Sequence, residues 1–165
     1  MMHLTRFLVL IVILCGNLCC AGENQDKSSD AILKKDGKVA AAAFEDAVVV
    51  NIRPEMRDIL SPIVAAIRYA ENGGKGREYG ILHKRVKPTY RSQAGWCSAT
   101  VQKNWDRYIR KGGKKNDIEA FISFLGNKYC PIGVDNDPDG LNRHWIKNVT
   151  KIRRRIIIGD MKQLR

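Results

Sequence analysis

No phosphate-binding glycine loop, no HExxH helix and no nucleophile elbow occurs in the chain. Nucleotide enzymes, zincin proteases and α/β-hydrolases are thereby set aside. Cysteine is scarce once the first residues are discounted: of five, Cys15, Cys19 and Cys20 lie near the start, leaving Cys97 and Cys130. Those two have no CxxC spacing, and His83 and His144 complete no recognisable ligand set, so neither a metal nor another cofactor is expected. Acid is also short, 17 Asp and Glu against 29 Lys and Arg. The longest apolar run, residues 7–14, is too brief to span a bilayer, and no internal repeat is visible.

That short run is instead the core of an export leader. His3 and Arg6 form a polar, positive start, and Cys19-Cys20-Ala21 supplies small residues for cleavage before Gly22. A lipoprotein anchor is a poorer fit, because Gly16, Asn17 and Leu18 do not make a lipobox. The expected location is periplasmic or secreted, with membrane contact only through an uncleaved leader. Without Arg6 the chain keeps 28 basic and 17 acidic residues, a formal charge of +11. Such a balance points to a polyanionic partner, and in an exported protein to cell wall or another anionic glycan sooner than nucleic acid. In an oxidising compartment Cys97 and Cys130 are candidates for one disulfide, closing a loop of about thirty residues and stabilising by roughly 3–4 kcal/mol. The alternative is two free thiols in the core.

About 144 residues remain after the leader, enough for one domain. Residues 22–51 read as a linker or short N-terminal helix: polar first, then alanine-rich, with a helix over 38–46 and Val48-Val49-Val50 as a strand or an extended approach. The folded domain is expected over 52–158, followed by a basic tail at 159–165.

Within it, SPIVAAIRYAENGG (61–74) reads as one short helix. Ser61 suits the N-cap, Pro62 the first helical position, and Gly73-Gly74 a left-handed close. Ile63, Ala66, Ile67 and Ala70 mark its buried stripe. Glu71 stands at the edge of that stripe, beside the negative end of the helix dipole. Desolvation and dipole both favour its protonated form, which makes it a candidate general acid; the plain alternative is a partly exposed helix-end residue.

A second helix starts at Thr89 or Ser92 and ends at Lys111, with Cys97, Val101, Trp105, Tyr108 and Ile109 inward. Asn116 and Glu119 suggest a capping box for a third, carrying Ile118, Phe121, Ile122 and Leu125 inward. The last runs over 141–158, with Trp145, Val149, Ile152 and Ile156 inward and Arg143, Lys147, Lys151, Arg154 and Arg155 outward. That basic face is either a solvated surface or a dock for anionic polymer. Asp135, Asp137 and Asp139 with Gly140 match the first half of a calcium loop, but Arg143 and Ile146 stand where later ligands belong. The plain reading is a helix-initiating turn; a second catalytic carboxylate among these aspartates is the other functional option.

The runs AIRYAENGG (66–74) and GREYGIL (76–82) together resemble the catalytic corner of the lysozyme-like superfamily, goose-type lysozymes and lytic transglycosylases. Asn72 replaces a common Ser, and the usual longer run is reduced to Tyr79-Gly80-Ile81-Leu82. The stretch from Phe121 to Val149 is similar to the C-terminal part of bacterial and phage cell-wall hydrolases. The resemblance implies a mainly α, lysozyme-like domain with a short β or loop excursion after the catalytic-Glu helix. It further implies Glu71 as general acid/base on β-1,4 glycan strands of peptidoglycan, in a hydrolase or a lytic transglycosylase. The segment after Glu71 would then wall the substrate cleft, with Tyr79 and Tyr90 as sugar-binding aromatics. Trp96, beside the core stripe of its helix, would line the cleft or pack. The reading from a different class is a non-catalytic wall-binding or structural protein that keeps the fold and the basic surface.

Overall fold

A computed structural model describes residues 23–71, 73–133, 137, 140–160 and 162. The expected leader, Asp135 and Asp139, and most of the tail lie outside the described residues. Six α-helices carry the fold: α1 Glu23–Asp36, α2 Lys38–Asn51, α3 Arg57–Ala70, α4 Tyr90–Arg110, α5 Ile118–Tyr129 and α6 Trp145–Ile158. Two 3-10 turns, Pro54–Met56 and Leu141–His144, lead into α3 and α6. There is no strand among the described residues, so the chain is mainly α, and the segment after Glu71 is a loop of turns without a β element.

Helix α3 is the axis. Every residue from Leu60 to Arg68 is buried, as befits a helix packed on all sides. It lies against α1, α4 and α6, while α2 packs on α4, and α5 closes on both α4 and α6. The large core side chains are Phe44, Leu60, Ile63, Ile67, Trp105, Phe121, Leu125 and Ile156, all essentially inaccessible to solvent.

The N-terminal segment is part of this core and not a linker. Helix α1 places Glu23 and Asp26 in its first turn and Lys34 and Lys35 in its last, the arrangement that suits the helix dipole. In α2, Ala40, Ala41, Phe44, Ala47 and Val48 are buried at helical spacing. Val48 to Val50 therefore finish a helix instead of forming a strand; the packing of one face overrides the β preference of valine.

Two expected helix ends are also corrected. Helix α3 begins a turn before Ser61, because the Pro54–Met56 turn feeds straight into it, and Pro62 sits inside at the cost of one ladder hydrogen bond. The same helix closes on Glu71 in an extended conformation (φ −83°, ψ 126°), with no left-handed glycine. The N-cap of α5 is Asp117, whose carboxylate accepts from the Ala120 N–H at 3.0 Å, leaving Glu119 to pair with Arg154. Thr89 does cap α4, accepting from the Ser92 N–H.

Candidate active site

The end of α3 delivers Glu71 to the junction of α3, α5 and α6. Its N–H still donates to the Ile67 carbonyl at 2.9 Å, and its own carbonyl accepts from Arg68 Nη1 at 3.2 Å. The backbone is thus held on both sides while the side chain leaves the helix. Its Oε1 accepts from the indole Nε1–H of Trp145 at 3.0 Å. Burial raises the carboxyl above the ordinary range; the Trp145 hydrogen bond and the Arg68 charge offset part of that rise.

The loop then folds back over the carboxyl. Gly80 lies directly against it with φ +68°, and a Cβ at that position would stand 2.5 Å from Glu71 Cδ. Only glycine satisfies both the positive φ and the close approach. Gln93 of α4 pins the loop: its Oε1 accepts from the N–H groups of Tyr79 and Ile81, and its Nε2 donates to the Ile81 carbonyl at 2.9 Å. Trp145 is fixed in turn by the Tyr129 ring, stacked at 5.4 Å between centroids and 25° between planes. At Gly126 a Cβ would come within 2.6 Å of Ile146 Cγ1, so the small residue lets α5 approach the start of α6.

These contacts close into a ring of partners around Glu71. Arg68, which holds the Glu71 carbonyl, makes a two-pronged pair with Asp36 of α1 (2.8 and 2.7 Å). Asp36 also accepts from the Tyr90 hydroxyl at 3.2 Å, and the Tyr79 and Tyr90 hydroxyls lie 3.0 Å apart. With the Tyr90 proton directed to Asp36, Tyr79 is the donor between the two. The Tyr79 carbonyl accepts from the Tyr129 hydroxyl, and Tyr129 leads back through Trp145 to the carboxyl.

Two clefts meet at Glu71. One, of about 290 Å³, is lined by Glu71, Gly73, Arg77, Gly80, Leu82 and Asn142 among others. The second, of about 630 Å³, runs past Glu71 along His144, Lys147, Asn148 and Lys151. They share Glu71, Cys130 and Asn142, so the carboxyl stands in the wall between them and not at a blind end. Among the described residues it is the one carboxyl that lines either cleft.

Glu71 stands at the end of its helix, as the extended C-cap just past the last turn instead of within it, and the aromatics differ too. Tyr79 is fully buried and works as a strut: its ring lies inside, its hydroxyl meets that of Tyr90, and its backbone is held by Gln93 and Tyr129. Tyr90 is turned toward Asp36 and lines neither cleft that meets at Glu71, its hydroxyl spent on the buried network. Trp96 is 40% exposed and stacks on His83 at 5.5 Å, again away from the walls of those two clefts. The two cysteines are free thiols and not a disulfide. Cys97 is buried in hydrogen-bonding contact with Tyr129, and burial pushes it up to about 12. Cys130 faces the clefts beside Glu71 and is pushed up to about 11, chiefly by burial.

Of the three aspartates, Asp137 is described and buried, with both oxygens near the Asn142 N–H (3.2 and 3.3 Å). That contact ties down the 3-10 turn ahead of α6. No group of three or more His, Cys, Asp or Glu side chains suited to a metal occurs among the described residues. No described helix is long and apolar enough to cross a membrane.

Trp145, Tyr129, Arg68, Asp36 and Asn142 were not singled out as site residues by sequence. Trp145 has a helical spacing signal, but that signal marks only the inward face; nothing local shows that its N–H meets a carboxylate 74 positions away.

Fold and site together define an all-helical domain, over the described residues, with one half-buried carboxyl between two open clefts. No family model, curated protein or solved structure matches this chain.

Proposed function

We propose that the protein is an exported, lysozyme-like enzyme that cleaves the β-1,4 glycan strands of peptidoglycan, with Glu71 as the proton donor. The observation that carries this reading is the half-buried Glu71 carboxyl, raised by burial, oriented by Trp145 and placed between two clefts. A carboxyl raised by burial keeps its proton to higher pH than an ordinary one and can give it to the glycosidic oxygen as the C1–O bond breaks through an oxocarbenium-like transition state. A polymer entering one cleft and leaving by the other would place an internal linkage at Glu71.

The absence of another carboxyl from the described walls of both clefts favours a single-acid route. Glu71, ionised after the first step, would take the proton from a hydroxyl of the same sugar as that oxygen attacks C1. The product is an anhydro sugar, as in a lytic transglycosylase; attack by water would give a reducing end.

Mass analysis of fragments released from purified peptidoglycan, beside Glu71→Gln, tests this. Anhydro ends lost in the variant support the transglycosylase route, and reducing ends lost in the variant support a hydrolase. If neither protein releases fragments while both sediment with the wall, catalysis is refuted and a wall-binding protein is left.

A further inference from the structure

The cleft along α6 does not stop at Lys151. A third concavity, of about 770 Å³, lies between α5 and α6 and is lined by Ser123, Ile146, Thr150, Arg154 and others. It shares Lys147 and Lys151 with the second cleft, so the two grooves join across these lysines. Arg143 and Arg155 line it too, and the lone acid in its wall, Glu119, is paired with Arg154.

Lys147 and Lys151 are exposed, and neither ammonium has an ion-pair or hydrogen-bond partner among the described residues. They sit four residues apart on one helix face, roughly 6 Å along the axis, a spacing that presents a row of charge. A groove that begins at a glycan-cleaving carboxyl and continues as a cationic row suits one kind of occupant: a sugar chain that carries its own negative groups.

We infer that the substrate is an anionic glycan, whose carboxylate or phosphate groups are held by Lys147 and Lys151 along α6 while a neighbouring sugar linkage lies at Glu71. This rests on the glycan-cleaving reading and adds the charge class and the direction in which the strand runs. Both lysines are outside the proton-transfer machinery, so their role is affinity and alignment.

The test uses Glu71→Gln protein, with and without Lys147→Ala and Lys151→Ala, titrated with carboxymethyl-chitin and with neutral glycol chitin. The control, Lys38→Ala with Lys103→Ala, removes the same charge elsewhere. Loss of two exposed ion contacts is expected to weaken carboxymethyl-chitin binding about three- to tenfold and to flatten its salt dependence, with glycol chitin and the control pair unaffected. Inorganic polyphosphate as competitor separates phosphate from carboxylate recognition: displacement that is lost with the lysines assigns phosphate as an acceptable group.

Equal weakening by the control pair, or none by the lysine pair, overturns the proposal. So does binding to phosphatidylglycerol vesicles that needs the lysines when carboxymethyl-chitin binds no better than glycol chitin. Failure of the catalytic reading shows separately, as fragment release indifferent to Glu71→Gln.

Discussion

The indole N–H of Trp145 donates to Glu71 Oε1 at 3.0 Å, joining the first residue of α6 to the residue that ends α3. The bond stabilises the ionised carboxylate and so opposes the burial that raises the carboxyl. Trp145 thereby helps to set how long the proton is kept as pH rises.

Trp145→Phe keeps a ring for Tyr129 to stack on and deletes the donor. The Glu71 carboxyl is expected to rise further, moving the alkaline limb of the pH–rate profile upward. A profile of kcat/KM on peptidoglycan from pH 4 to 9 checks this. An unmoved limb would show that the hydrogen bond does not govern the titrating group.

Glu71→Gln is expected to lower turnover by about 10²–10⁴, the usual span for general acid catalysis. Its stability should move the other way. A carboxyl raised in the folded state favours folding while protonated, and that contribution is lost as pH rises from the ordinary value of 4.5 through the folded one. Gln does not titrate, so the variant should gain on the native protein between pH 4 and 7. Urea melts at both pH values measure the gap.

Gly80→Ala forces a side chain into the Glu71 carboxyl at a positive φ. A loss of about 1–3 kcal/mol in stability is expected from the strained backbone, together with reduced activity from a displaced carboxyl. Gly133→Ala, also at positive φ (+75°) but with open space around its Cβ, is the comparison. It should show the backbone cost and none of the displacement.

Asp36→Ala leaves the Arg68 guanidinium buried without its carboxylate. The side chains of the pair are only 10% and 14% exposed, so the loss is expected to be about 3–5 kcal/mol in denaturant unfolding. The same variant tests whether α1 belongs to the folded unit. A mere linker would tolerate the change.

The thiols offer a chemical check. Protein starting at Gly22 should show two free thiols on denaturation in a thiol-reactive dye. In the native state Cys97, buried and pushed up to about 12, should not react, and Cys130, at about 11, should react slowly at neutral pH. A protected pair released only by reductant would mean that the disulfide forms after all.

The helical character, the inward faces of α4 and α5, and the placing of Glu71 at a helix end were legible in the sequence, because apolar periodicity and stop residues act over one or two turns. Helix α1 was not, since its buried stripe is short and made of Ser28, Ala31 and Ile32 among charges. Its order comes from packing on α3 and from Asp36 meeting Arg68. Tyr79 and Trp145 show the same limit. An aromatic beside glycines reads equally as a cleft wall or a core strut, and a tryptophan on an apolar face reads as packing. Which role each takes depends on partners 14 to 74 positions away. Local sequence thus determined the helical character of the later segments and which carboxyl stands at a helix end. Only the tertiary structure decided what desolvates that carboxyl, what donates to it and which way the clefts run, because burial and hydrogen bonding between distant segments exist only once the helices have packed.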